Sequence, residues 1–391
     1  MAMDIQQAAM MEQLPSQFFA KLVNKAQRMA QEHNDLINLG QGNHDQPTPA
    51  FIVEALREAS CEPRFHRYGP FRGYPFLKEA IAAYYKQQYE VELDPETEIA
   101  IVPGTKTAIV ELCQCLLNKG DMALVPDPGY PDYLSGIAIT GAIAKPMPLL
   151  RNNRFLPDYH ELGSDVLDKA NMMFLNYPNN PTGATADARF FANTVAVARS
   201  HGIPVIHDFA YGAIGFEGTP CSFLQQEGAK DVGVELFTMS KLYNMAGWRV
   251  GFVLGNKEIV AMLEELQDHY HCSLFGGLQA ASACALQSDQ SSVHELVSLY
   301  KERSEVLWEA AQEIGWQVER PSGSFFAWFP VPKGYTSEEF SELLLEKAHL
   351  VVAPGNGFGR YGEGYVRIGL LANKTTLREA IARIGNLNLF K

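Results

Sequence analysis

From about residue 76 to residue 255 the chain alternates short apolar runs with longer stretches whose apolar positions recur at helical spacing. The runs Ile99-Ala100-Ile101-Val102, Met122-Ala123-Leu124-Val125 and Met172-Met173-Phe174-Leu175 predict buried strands. So do Pro204-Val205-Ile206-His207, Val234-Glu235-Leu236-Phe237 and Val250-Gly251-Phe252-Val253-Leu254. Between them lie helical patterns such as Thr107 to Leu117, stopped by Lys119-Gly120, and Ala186 to His201, stopped by Gly202. Near-continuous apolar strands are buried on both faces, so the alternation predicts an α/β fold with a mostly parallel sheet between layers of helices. Ligands in such sheets bind beyond the carboxyl ends of the strands.

After about residue 290 the pattern changes. A long amphipathic helix, Val293 to Ile314, leads into the alternating strand Gly323-Ser324-Phe325-Phe326-Ala327-Trp328-Phe329. A helix from Ser337 to His349, strands Leu350-Val351-Val352 and Tyr365-Val366-Arg367-Ile368, and a last helix from Thr375 follow. These predict a smaller α+β domain completed by the N-terminal segment. The expected boundaries are 46–288 for a large domain, and 1–45 with 289–391 for the small domain and its N-terminal arm. A chain of 391 residues is longer than one core usually grows.

Apolar residues at 47% and charged ones at 20% fit a folded globular protein. A net charge of −13 without a Lys/Arg cluster excludes a nucleic-acid surface. No apolar stretch reaches the roughly 18 residues of a membrane span. Residues 1–17 carry Asp4 and Glu12 and lack a basic region followed by an apolar one, so no secretory signal is expected. The six cysteines show no metal-ligand spacing; Cys113 and Cys115 lie within an apolar helical run. Reduced thiols, no metal site and a cytoplasmic location are the expectation.

Lys241 follows a predicted strand directly, in Thr238-Met239-Ser240-Lys241. A lysine desolvated at the ligand end of a sheet loses basicity and becomes a nucleophile; the same residue also reads as a solvated strand-end lysine. Thr238, Ser240 and Arg249 have the chemistry to clamp a phosphate. Gly104-Thr105-Lys106, between a strand and a helix, is a second anion device. Asp208 ends a predicted strand, where a carboxylate needs a cation or donor, though it reads equally as a helix N-cap. Asn176-Tyr177-Pro178-Asn179-Asn180-Pro181-Thr182-Gly183 has turn composition yet lies at the ligand end of the sheet.

Together with Tyr68…Gly73, Asp127-Pro128-Gly129-Tyr130-Pro131, Asp208-Phe209-Ala210-Tyr211, Gly247-Trp248-Arg249-Val250-Gly251 and Arg367, these motifs resemble the class I/II aminotransferases of pyridoxal 5'-phosphate (PLP) fold type I. The resemblance runs in order along nearly the whole chain. It implies a large domain with a seven-stranded sheet, PLP as cofactor, and transfer of an amino group between an amino acid and a 2-oxo acid. By resemblance Lys241 carries the cofactor and shuttles the substrate proton, while Asp208 pairs with the ring nitrogen. Tyr211 and Asn180 bond the ring oxygen, and Tyr130 stacks on the ring. Gly104, Thr105, Lys106, Thr238, Ser240 and Arg249 surround the phosphate. Arg367 grips the substrate carboxylate, helped by Asn180 and the backbone at Gly40. Tyr68 reaches the phosphate of the neighbouring subunit, which implies a homodimer with shared sites. Cis peptides before Pro128 and Pro181 are also implied. Phe209 departs from the family, where a glutamate often stands, and Thr238 replaces a common serine.

No arginine lies between Arg249 and Arg303, where aspartate-specific relatives often carry one that the partner subunit lends to the distal carboxylate. Leu274-Phe275 stands in the corresponding region, as an apolar pocket wall or as plain core or interface residues. An uncharged side chain such as that of methionine, glutamine or an aromatic amino acid is favoured. Leu14 to Phe19, Asn38 to Asn43 and Phe71 to Ala80 further resemble the bacterial methionine-salvage aminotransferases, which act on 4-methylthio-2-oxobutanoate. An aspartate or broad-specificity aminotransferase, and a PLP-dependent carbon–sulfur β-lyase of the same fold, are the alternatives.

Overall fold

The structure, a computed structural model, describes Met3 and residues 5–390; Met1, Ala2, Asp4 and Lys391, at the outer ends of the segments expected for the small domain, lie outside the described residues. In chain order the strands are β1 (Ile37–Asn38), β2 (Ile99–Val102), β3 (Met122–Asp127), β4 (Ile143–Pro148), β5 (Ala170–Leu175) and β6 (Val205–Asp208). Then come β7 (Gly233–Thr238), β8 (Gly251–Gly255), β9 (Phe326–Pro330), β10 (Leu350–Val351), β11 (Ala353–Pro354) and β12 (Tyr365–Gly369).

Seven strands form the main sheet in the order β2-β8-β7-β6-β5-β3-β4. Strand β8 runs antiparallel to both neighbours, and the other pairings are parallel. Alternate residues go to opposite faces, as the period of two requires. Ile99, Met173, Leu175, Phe237 and Phe252 join one core, and Ala100, Met172, Phe174, Leu236 and Val253 the other. Strand β4 was not legible as a strand. It is the edge, its Ile143 is 56% exposed, and it carries Pro146 and Pro148, which only an edge tolerates.

Strand direction decides where the site lies. The chain leaves β2, β3, β5, β6 and β7 at one edge of the sheet and enters β8 there. Gly104, Tyr130, Asn180, Asp208 and Lys241 follow or end the first five, and Arg249 precedes the sixth. Six distant segments therefore converge without long loops.

A further core gathers Trp316, Phe325, Phe329, Phe340 and Ile381 around the antiparallel order β11-β12-β9 and helices Ser291–Glu313, Ser337–Ala348 and Lys374–Gly385. Ala210, Tyr211, Ile214 and Phe216, which follow β6, belong to this core. Strand β1 pairs in parallel with β10, which brings Gly40 beside Val351 and Val352 at the end of β10. No helix among the described residues is long and apolar enough to cross a membrane.

Candidate active site

A cavity of about 690 Å³ opens at this edge. Gly40, Thr105, Lys106, Tyr130, Asn180, Asp208, Tyr211, Thr238, Ser240, Lys241, Arg249 and Arg367 line it. Of the residues singled out from the sequence, Gly104 lies just behind the wall and Tyr68 lies outside it.

Lys241 owes its position to a capped turn. Thr238 ends β7, and its Oγ1 accepts the backbone N–H of Ser240 at 3.1 Å, opening the short helix Met239–Leu242. The amine donates to the Gly42 carbonyl at 3.3 Å and lies 5.3 Å from the Phe325 ring. Burial, then the nearby Arg249 and Arg367, push its pKa down to about 8. A lysine so placed holds a useful fraction of free amine near neutral pH.

Asp208 ends β6 with its side chain in the cavity. Tyr133 donates its hydroxyl to Oδ2 at 2.8 Å, while buried Oδ1 has no partner. Burial raises the carboxyl above its usual range, partly opposed by the Tyr133 bond. The N-cap alternative fails here, since no helix begins at Asp208. A buried carboxyl group with one bare oxygen calls for a donor, and a cationic one suits it best. Tyr211, also buried, packs edge-on to Phe325 at 5.1 Å.

The Asn-Pro turn is held by its own amides. Asn179 Oδ1 accepts from the Thr182 N–H and hydroxyl, and Asn176 Oδ1 accepts the Asn180 N–H at 2.8 Å. Asn180 Oδ1 accepts from Arg367 Nη1 at 2.8 Å, so its Nδ2 remains a donor. Arg367 Nη2 donates to the Gly40 carbonyl at 2.8 Å. The guanidinium faces the rings of Phe326, Phe358 and Phe19 at 3.9, 4.7 and 5.0 Å. Burial pulls its pKa down to about 9, opposed by Tyr211 and Tyr130.

At the opposite end, helix Thr105–Leu116 starts on Gly104, whose φ of +85° favours glycine. A Cβ there would stand 2.2 Å from Arg249 Nη2, so the guanidinium lies directly against this turn. Backbone N–H groups at a helix start, the Thr238 and Ser240 hydroxyls and Arg249 together suit a phosphate. Lys106 is turned to Asp132 at 2.9 Å.

The expected cis peptides before Pro128 and Pro181 are present, and Tyr177–Pro178 is a third. Leu274 packs on the large core and Phe275 is 37% exposed beside His66; neither lines the cavity of this chain. Within this chain the apolar wall of the cavity comes from Phe19, Leu22 and Val23 of helix Phe18–Glu32, with Phe326. Tyr133 was also missed, because an aromatic inside a helix reads as ordinary core.

Residues 34–384 match the family model for aminotransferase class I and II. The chain is 55% identical over 389 residues to an L-glutamine–4-(methylsulfanyl)-2-oxobutanoate aminotransferase of Bacillus subtilis (strain 168), covering 99% of this chain and 98% of the relative. It is 41% identical to an LL-diaminopimelate aminotransferase of Moorella thermoacetica, covering 97% and 98%. Among solved structures, substrate-bound BacF from Bacillus subtilis superimposes with a TM-score of 0.94 at 51% identity, over 99% and 98% of the two chains.

Proposed function

The chain belongs to the class I and II aminotransferases, enzymes that use PLP, and from that premise we propose that Lys241, Asp208 and Arg367 carry its chemistry. The observation behind this reading is the bare Oδ1 of Asp208 in the same cavity as the weakened Lys241 amine. The residues present suit PLP: a carboxylate oxygen without a partner for the ring nitrogen, and a glycine turn against Arg249 for the phosphate. Bound there, the cofactor supplies an electron sink for charge developing at the substrate Cα.

The roles of the chain's own groups follow. Arg367 binds the substrate α-carboxylate through the in-plane N–H groups of its guanidinium edge not taken by Asn180 and Gly40. Asn180 Nδ2 and the Tyr211 hydroxyl would hold the cofactor's ring oxygen, with Tyr130 beside the ring. Gly104, Thr105, Thr238, Ser240 and Arg249 would hold the phosphate, with Lys106, paired to Asp132, next to them. Lys241 Nζ would hold the cofactor and, once displaced by the substrate amine, would be the base that takes and returns the Cα proton. The three aromatic rings around Arg367 keep water from competing for the carboxylate.

We assign a substrate with an uncharged side chain, methionine or its 2-oxo acid 4-methylthio-2-oxobutanoate, with glutamine as donor. Phe19, Leu22, Val23 and Phe326 form an apolar wall that would leave a distal carboxylate unpaired. The glutamine and methylsulfanyl-oxobutanoate named for the Bacillus relative agree with it. Tyr68 is 92% exposed with Phe71 at 62%, which supports a homodimer in which Tyr68 serves the neighbouring subunit's phosphate.

Mixing the holoenzyme singly with methionine, glutamine, phenylalanine or aspartate, and following conversion of the cofactor to its amine form, tests this. Methionine and glutamine should react fast and aspartate slowly. A fast aspartate reaction would overturn the substrate assignment. With S-methylcysteine, whose sulfur sits on Cβ, release of pyruvate and ammonia without the amine form would mark a β-lyase.

A further inference from the structure

We propose that His33, Asp35 and His349 form a binding site for one divalent ion of the zinc or nickel type, which staples the N-terminal helix Phe18–Glu32 to the small sheet. One ligand atom from each of the three residues lies within 4.8 Å of the other two. His33 and Asp35 flank Asn34, where helix Phe18–Glu32 hands over to β1. His349 ends helix Ser337–Ala348 and leads into β10, the strand that pairs with β1.

The backbone holds the two segments together before any ion binds. The Ile37 N–H donates to the His349 carbonyl at 2.9 Å. His349 takes a left-handed conformation with φ of 48°, and its ring lies over that of His33 with centroids 4.0 Å apart. His349 Nδ1 stands 2.8 Å from Asp35 Oδ1. Two imidazole nitrogens and a carboxylate oxygen are the ligand set of an open three-residue zinc site. With bonds of about 2.0–2.1 Å, the ligand atoms need to stand roughly 3.4 Å apart, so shifts of about 1 Å close the site. On binding, any proton on the ligating nitrogens leaves to solvent, and the ion replaces the hydrogen bond between ring and carboxylate.

The charge balance also favours a cation. Arg383 Nη1 lies 3.4 Å from Asp35 Oδ2, but Arg383 is also paired with Glu379 and donates to the Asp35 and Ala348 carbonyls. Asp35 and Glu379 thus bring two carboxylates to the single guanidinium of Arg383. His33 and His349 are half-buried and Asp35 is exposed, so an ion has access. The consequence reaches the cavity. Helix Phe18–Glu32 buries only Ala26 yet supplies Phe19, Leu22 and Val23 to the cavity wall. An ion at its carboxyl end would fix that wall.

The test is calorimetric titration of chelator-treated holoenzyme with Zn2+ and Ni2+, alongside the thermal midpoint with and without Zn2+. The variants are His33→Asn and His349→Asn, asparagine being tolerant of the left-handed backbone at position 349. Asp35→Asn is a second line that leaves both rings in place. The wild type should bind one ion per chain and gain thermal stability from it. Each variant should bind about tenfold or more weakly and lose that gain. Absence of saturable binding in the wild type overturns the site. So does unchanged binding in all three variants, which would assign the ion elsewhere, as to the exposed Cys61 and Cys272.

Discussion

Arg367 donates to Asn180 Oδ1 at 2.8 Å, so the residue proposed to read the substrate carboxylate also orients the amide proposed to face the cofactor ring. On that proposal, substrate and cofactor recognition share one hydrogen bond. Lysine at position 367 keeps a positive charge but loses the fork that spans Asn180 and Gly40. Arg367→Lys should lower kcat/KM about a hundredfold or more, chiefly through KM. Steady-state kinetics with methionine as amino donor checks this.

Lys241 lowers the stability of the cofactor-free chain. Its folded pKa of about 8 lies below the ordinary 10.5. Below about 8 both folded and unfolded chains hold the proton, and the native state bears the full cost of a buried ammonium. Between about 8 and 10.5 the unfolded chain binds more protons, so stability rises with pH. Lys241→Met should stabilise the cofactor-free protein at pH 7 by up to about 3 kcal/mol. That advantage should shrink at pH 9.5, as urea unfolding at the two pH values would reveal.

Gly104→Ala puts a Cβ against Arg249 Nη2 at a positive φ. We expect a stability loss of about 1–3 kcal/mol. Displacement of Arg249 should weaken PLP binding about tenfold to a hundredfold. Fluorescence titration of the cofactor-free protein with PLP measures the second effect directly.

Phe19 joins the apolar wall to the Arg367 face, 5.0 Å from the guanidinium. Phe19→Ala should cost about 1–3 kcal/mol of discrimination for an apolar side chain. The ratio of kcat/KM for methionine to that for aspartate should fall accordingly. A ratio unchanged from wild type would remove Phe19 from the substrate wall.

What was legible in the chain follows its physics. Strands β2, β3, β5, β6, β7 and β8 are buried on both faces and announce themselves as apolar runs, whereas the proline-bearing edge β4 does not. Lys241, Asp208 and Arg249 stood out because polar residues directly beside buried strands need a reason, and Asn180 through the Asn-Pro turn that follows β5. Phe19, Leu22 and Val23 did not, since an amphipathic helix looks the same whether it covers a core or a ligand cavity. Tyr133 gave no signal, its hydroxyl being explained only once Asp208 lies 2.8 Å away. His33 and His349 meet only through the β1–β10 pairing, beyond the reach of any local motif.

Borohydride treatment of the holoenzyme, followed by digestion and mass mapping, tests the central claim most directly. The cofactor should be fixed on the peptide containing Lys241, and Lys241→Ala should yield no labelled peptide. A label on any other lysine, or a wild-type protein that takes none, would contradict the assignment.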